Sequence, residues 1–467
     1  MSRFTSPKRL QYNLLHKTRT INRLMLVVFL IQAIFSVSLI FNDNIWFDEA
    51  FTLSLIQHDF PQVIDIIKSD MHPPLYFITL KIFCMIFGYS VPVTKLFSFI
   101  GYLGTLLLGL TIIRKHFSDK TAIIYMLTIG SIPMSLYFSV QQRSYQWGIF
   151  FVTFCFLESI LFLGKEKICH GVFMVVTGLL ASYNHFYALL AVGVIFAFIN
   201  IYIMIKLRKQ IKTIILLDLC MLVGYSPWIF VLCNQVSNAS NSFWLKGIEP
   251  LSVIVFISGI IFSILILLKK ENRKLLYLFS ITTVLGVQLI GLLVTVFIRP
   301  FYIARYSVFV LGVFAFFIAI VIQDLKTRCK TIIIALICML NIICFIGTVK
   351  FEYNTSMSDC IIRLNQSVSK EDTFLYCDSS FGMMSYYYPQ NEHICIYSQS
   401  WFEAFNNVKC IDKSQMSQRL SFDNKVWFIK NDLTKMPKCL TSSYSLDKVD
   451  GFQCDFNHFE VYAVTEK

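Results

Sequence analysis

Charge is what this sequence has least of. Asp, Glu, Lys and Arg make up 15% of its 467 residues, where a soluble domain carries roughly 25%. A Gly-rich phosphate-cradling loop, an HExxH pair and a GxSxG elbow are all missing, so nothing supports a soluble nucleotide-sugar, ATP or zinc-hydrolase site. The 14 cysteines contain no CxxC spacing, which argues against a zinc knuckle. There is no low-complexity tract, and no internal repeat of the kind transporters carry. The bulk of the chain is apolar instead: 56% hydrophobic residues with 45 Phe and a mean hydropathy of +0.63. That excludes intrinsic disorder and a disulfide-framed miniprotein, and it fits a polytopic helical membrane protein of about 11–13 spans.

The net charge of +13 is a matter of location. Residues 350–467 hold 12 basic and 15 acidic side chains, leaving 29 basic and 13 acidic in residues 1–349. The basic excess therefore lies wholly in the apolar part. It falls in residues 1–23 and in short connectors at Arg114–Lys120, Lys165–Lys167, Lys206–Lys212, Lys269–Lys274 and Lys326–Lys330. Basic connectors mark the cytoplasmic side. No basic stripe with interleaved aromatics occurs, so nucleic acid is not an expected partner. Three apparent spans (24–41, 74–88 and 93–113) separate the N-terminus from the 114–120 connector. Three spans cannot join two cytoplasmic segments, so either 74–113 is not two simple spans or this loop breaks the charge rule.

The chain divides into three regions. Residues 1–23 form a basic cytoplasmic N-terminus. Residues 24–349 form the transmembrane part, with further spans at 121–140, 145–164, 170–184, 186–205, 213–233, 251–268, 275–297, 303–323 and 331–349. Its first extracytoplasmic loop, 42–73, carries six acids against Lys68, and Asp48–Gln57 and Pro61–Lys68 have the spacing of short amphipathic helices. Residues 350–467 turn polar. Strand-like runs at Thr373–Cys377, Ile394–Tyr397, Lys425–Ile429 and Phe459–Val464 give a small extracytoplasmic α/β domain. Its six cysteines leave disulfides and free thiols equally open.

Polar clusters at the outward ends of the spans carry the chemistry. Asp48 and Glu49 sit just past the first span, where partial desolvation suits a carboxylate to general-base work. His72-Pro73-Pro74-Leu75-Tyr76 opens the next apolar stretch. Arg143 and Tyr145, then His185, then Arg299, Arg305 and Tyr306 lie at later outward ends. Arginines at one membrane depth need anionic partners, and a lipid-linked phosphate is one. Each feature also has a plainer reading: a solvated helix start for Asp48-Glu49, an interfacial anchor for His72, headgroup or carboxylate pairing for the arginines.

Taken in order, these motifs resemble the GT-C glycosyltransferases of the family-39/family-83 type, which include protein mannosyltransferases and lipid A aminoarabinose transferases. The Asp48-Glu49 pair, His72–Tyr76, Arg143-Ser144-Tyr145, Tyr183-Asn184-His185, Pro227-Trp228 and Arg305-Tyr306 carry the resemblance over about residues 20–325. It implies a GT-C transmembrane bundle that takes a sugar from a polyprenyl-phosphate donor and inverts its anomeric centre. The acceptor is a hydroxyl on a glycan, lipid or protein. Asp48 matches the catalytic base, and Glu49 its partner that orients the acceptor or the loop. Arg143, His185 and Arg305 match donor-cavity positions. The sequence requires no cofactor, and a divalent metal is left open. Gln142 departs from the acid frequent in relatives, and Lys95 from a frequent Arg. A multi-span transporter or flippase, or another envelope polysaccharide polymerase or ligase, is the alternative, although neither needs a long acidic first loop.

Overall fold

The computed structural model describes residues 7–238, 248–267, 273–298, 302–396, 403–412, 416, 420 and 422–467. Among the described residues, eight helices are long and apolar enough to cross a membrane, and three shorter apolar helices accompany them. The protein is a multi-pass membrane protein with a small C-terminal sheet domain.

The chain enters through α1 (Pro7–Val37) and reaches two short helices, α2 (Phe47–Leu55) and α3 (Phe60–Ser69). The start of α3 is fixed by Asp59, whose carboxylate accepts the Gln62 N–H at 2.8 Å while the Gln62 side chain accepts the Asp59 N–H. This reciprocal cap satisfies two otherwise unpaired donors. Both helices coincide with the amphipathic segments expected from the sequence.

α4 (Leu75–Phe87) and α5 (Val91–Leu108) answer the parity problem. α5 starts beside the first loop, where Lys95 Nζ donates to the Asn42 carbonyl at 2.9 Å. After a π turn (Gly109–Ile113) and α6 (Arg114–His116), it ends beside α1, where the Arg114 guanidinium donates to Asn22. α5 therefore crosses the bundle. α4 does not. Its entry residue His72 contacts Arg143, and its exit at Val91 receives a hydrogen bond from Gln142, the neighbouring residue. Thirteen residues make about 20 Å of helix, short of the ~30 Å hydrocarbon core. The span expected at 74–88 is thus a hairpin arm, and 114–120 lies on the side of the N-terminus.

A second correction concerns 121–140. This run is not one helix: α7 (Asp119–Gly130) stops, and Pro133 opens the short α8 (Pro133–Tyr137). Proline lacks the N–H that a continuous helix needs there. Then come α9 (Tyr145–Lys165), α10 (Ile168–Asn184), α11 (Phe186–Lys206), α12 (Ile211–Asn238), α13 (Pro250–Leu267), α14 (Lys274–Phe297), a 3-10 turn (Ala304–Val310) leading into α15 (Leu311–Gln323), and α16 (Thr327–Glu352). α9 is central and packs on α5, α10, α11 and α15. Its Gly148 is required by close approach, since a Cβ there would meet the Phe309 ring at 2.5 Å.

The C-terminal domain contains α17 (Ser356–Leu364), α18 (Phe381–Tyr387) and α19 (Lys438–Ser443) around a six-stranded sheet. The strands are β1 (Thr373–Tyr376), β2 (Glu392–Cys395), β3 (Val408–Cys410), β4 (Val426–Asn431), β5 (Tyr444–Cys454) and β6 (Asn457–Glu466), in the order β3-β2-β1-β4-β6-β5. β3, β2, β1 and β4 run parallel, and β6 and β5 are antiparallel. Sequence patterning finds β1, β4 and β6, places β2 two residues late, and misses β3 and β5. Tyr397 lies outside the described residues.

Strand alternation sends side chains to two cores. Phe374, Tyr376, Trp427, Ile429, Phe459 and Val461 share one core with Phe51, Ile67, Tyr76 and Phe77 of the first loop and α4. Leu375, Val426, Phe428 and Val464 fill the other. One face of the sheet is therefore packed directly on the loop that carries Asp48.

Candidate active site

The site is built around a segment that is neither helix nor strand. Residues 138–144, between α8 and α9, are all buried. Buried backbone needs partners, and several elements supply them. Ser98 Oγ donates to the Gln141 carbonyl at 2.5 Å. The Asn184 amide donates to the Ser144 carbonyl at 2.7 Å. Glu49 Oε1 accepts the Gln142 N–H at 3.0 Å. This clamp aims Arg143 at the first loop.

Asp48 and Glu49 occupy the first turn of α2, where the helix dipole favours acids, but their surroundings differ. Glu49 is 2% exposed. Besides Gln142, it accepts the Trp46 N–H at 3.4 Å. Burial pushes its carboxyl up to about 7, against the opposing pull of Lys95 and of these backbone N–H groups. Glu49 is thus a buried tie between α2 and the 138–144 segment. Asp48 keeps a 21% exposed side chain. Among the described residues its carboxylate has one charged neighbour within ion-pair distance, Arg143 Nε at 3.8 Å. That separation exceeds a hydrogen bond and leaves the carboxylate oxygens available.

Arg143 is 5% exposed and held from several directions. Nη1 donates to the Asp48 carbonyl at 3.3 Å and to Thr52 Oγ1 at 3.2 Å. Nη2 lies 2.9 Å from His72 Nε2. A guanidinium only donates, so His72 Nε2 accepts. The proton of that ring then sits on Nδ1, 2.7 Å from Asp70 Oδ2. Burial alone would raise the Asp70 carboxyl, but His72 and the Met71 N–H hold it below the usual carboxylate range. The result is a relay of contacts from Asp70 through His72 and Arg143 to Asp48.

His185 faces His72 with ring centroids 5.8 Å apart. Its Nδ1 accepts the Tyr187 N–H at 3.1 Å, so its proton is carried on Nε2. Tyr145 lies between Phe138 and His185, at 4.3 and 6.0 Å. Tyr306 stacks on Tyr187 at 4.4 Å. The Arg305 guanidinium lies 5.7 Å from the Trp46 ring and 5.9 Å from each of Tyr145 and Tyr306. Its Nε is buried without a hydrogen-bond partner among the described residues. A buried donor in that condition is costly.

Asp48, Glu49, His72, Arg143, Tyr145, His185, Arg305 and Tyr306 therefore meet around one region. Arg299 lies outside the described residues. Lys95 is not in the cluster: it is 1% exposed and ties down Asn42 and Asn44 of the first loop. Gln142 spends its amide on Thr94 and Val91. Sequence reasoning missed Asp70, Thr52, Trp46 and Asp455. Asp70 had a readable signal in its two-residue spacing from His72. Asp455 had none; it comes from the turn after β5, with a φ of 52°, and accepts the Tyr137 hydroxyl at 2.5 Å. Among the described residues, no three His, Cys, Asp or Glu side chains converge as metal ligands.

No protein-family model and no curated protein matches this chain. Solved structures do. ArnT from Cupriavidus metallidurans in its apo state matches with a TM-score of 0.65 at 11% identity, over 96% of this chain and 98% of that one. The same protein bound to undecaprenyl phosphate matches with a TM-score of 0.64 at 11% identity, with the same coverage. The chain has the GT-C fold of ArnT, from first helix to C-terminal sheet.

Proposed function

We propose that this protein is a membrane glycosyltransferase that moves a sugar from a polyprenyl-phosphate donor to a hydroxyl acceptor, with Asp48 as general base. One observation carries the reading. A partly exposed carboxylate, free of hydrogen bonds among the described residues, sits beside a buried arginine whose position is fixed by other contacts. The fold shared with ArnT, one of whose structures holds undecaprenyl phosphate, supports a polyprenyl phosphate as the donor lipid.

The residues divide the work. Asp48 accepts the acceptor hydroxyl proton as its oxygen bonds the anomeric carbon. The bond from that carbon to the phosphate oxygen breaks, and polyprenyl phosphate leaves with its electron pair. Attack from the face opposite the phosphate inverts the centre. The leaving phosphate is already anionic, so it needs charge stabilisation more than a proton. Arg143 and Arg305 supply it, and the vacant Nε of Arg305 suits a phosphate oxygen. The Asp70–His72 pair keeps the Arg143 guanidinium aimed. The Tyr145, His185 and Tyr306 rings wall the sugar. The basic connectors at the far end of the bundle support an extracytoplasmic position for this site.

The test is chemical. Purified protein is incubated with polyprenyl-phosphate sugars and envelope acceptors, and released polyprenyl phosphate is measured beside sugar transfer. Equal amounts of both, lost together in Arg143→Ala, support the reading. Lipid movement across the bilayer without sugar transfer would identify a flippase instead.

A further inference from the structure

The end of the bundle opposite Asp48 holds a cavity. There α5 leaves the α-helical pattern: Gly109–Ile113 is a π turn, which inserts a residue and rotates the downstream side chains about the helix axis. The turn packs closely on α7 at Gly109, where a Cβ would meet Met126 Cγ at 2.8 Å. Arg114, Lys115 and His116 come next and line a cavity of about 620 Å³ with the inner ends of α9 and α10.

Arg114 and Lys115 balance Asp119 and Glu158 in the lining, and Lys165, bonded to the lining His116, leaves one positive charge in excess. The two carboxylates are engaged: Asp119 by Arg114 Nε at 2.9 Å, and Glu158 by His170 Nδ1 at 2.6 Å. Lys165 Nζ donates to His116 Nδ1 at 2.7 Å. That imidazole therefore carries its proton on Nε2, as a donor. Lys115 is exposed and has no ion-pair partner among the described residues. Two ammonium groups and one N–H remain for an anion. The other wall is apolar, formed by Leu110, Ile112 and Leu161. Leu107, one helical turn before Leu110, is 45% exposed. A basic end joined to an apolar wall matches a phosphate ester attached to hydrocarbon.

We infer that this cavity binds the phosphate headgroup of an anionic membrane lipid on the face opposite the catalytic cluster. Lys115 and Lys165 neutralise the phosphate, His116 Nε2 donates to one of its oxygens, and the Leu110–Ile112–Leu161 wall takes the first carbons of the acyl chains. The site is separate from the sugar-transfer residues.

Full-length protein delipidated in neutral detergent is titrated with phosphatidylglycerol or phosphatidylcholine, and bound lipid is counted by native mass spectrometry. A Lys115→Gln/Lys165→Gln double variant should bind phosphatidylglycerol about 30-fold more weakly, with phosphatidylcholine unchanged. The Lys115→Arg/Lys165→Arg variant should bind normally, which separates lost charge from misfolding. Unchanged phosphatidylglycerol binding in the Gln variant overturns the inference. Competition by millimolar glycerol 3-phosphate or inorganic phosphate overturns the lipid source and assigns the cavity to a soluble phosphate. Sugar transfer from a water-soluble short-chain donor is assayed alongside. It should be equal in all variants, so this inference and the proposed function fail independently.

Discussion

At the scale of single residues, the two adjacent acids have separated into different jobs. Glu49 is walled in and ties the site segment to α2, while Asp48 stays open. The Glu49 carboxyl at about 7 lies above its ordinary value of 4.5. The folded state therefore holds a proton that the unfolded state has lost between those pH values. Stability falls as pH rises across that window, by up to about 3 kcal/mol, and levels off above it. Glu49→Gln should flatten this part of the pH dependence of the unfolding midpoint, while Glu49→Ala should lower the midpoint at every pH. An unchanged pH profile in Glu49→Gln would show that the buried carboxyl is not the titrating group. Most of this cluster was legible in the sequence: Arg143, His185 and Arg305 are polar at span ends where lipid contact forbids polarity, and Asp48 and His72 stand near the two ends of the acidic first loop. The roles were less so. Nothing local distinguishes Asp48 from Glu49, and Lys95 gives no sign that it serves backbone carbonyls 51 and 53 residues away.

At the scale of elements, the sheet domain and α2 form one device. Phe47, the residue before Asp48, is seated against Phe381 and Phe405 with ring centroids at 5.8 and 6.2 Å. A Cβ on Gly382 would meet the Phe47 ring at 2.6 Å. Gly382→Leu should therefore push Phe47 and the first turn of α2 out of place. A shift of about 1 Å at a reacting group costs on the order of 10²-fold, so kcat should fall by that order while donor KM changes little. An equal loss in both parameters would point to general unfolding instead. The sequence could not foresee this contact, since it joins residues more than 300 positions apart. It also could not foresee α4 as a non-crossing arm, because 13 apolar residues read alike in a hairpin or a span. The charge pattern did mark the fault: only a non-crossing α4 reconciles residues 1–23 with the 114–120 connector.

At the scale of the whole molecule, the fold is legible and the join between its parts is not. Hydropathy and basic connectors yield a polytopic helical bundle with a polar tail, and the ordered outward motifs carry its resemblance to the GT-C enzymes. They are silent on how the tail docks, because the docking core mixes the first loop, α4 and one face of the sheet. The topology predicts opposite sides for the two ends. An epitope placed beside Leu433, which is 86% exposed, should be reached by antibody on intact cells. One fused ahead of α1 should be reached only after permeabilisation. Staining of both on the same side would contradict the crossing pattern and the placing of Asp48 outside.

The central claim is that Asp48 removes the acceptor proton during transfer from a polyprenyl-phosphate sugar. Its most direct test is single-turnover transfer by wild type and Asp48→Asn, with donor binding measured on the same preparations. The account predicts that Asp48→Asn binds donor within about twofold of wild type, since Arg143 and Arg305 remain. It also predicts transfer slower by about 10²–10⁴-fold, the usual contribution of a general base. Near-normal transfer by a folded Asp48→Asn protein would contradict it.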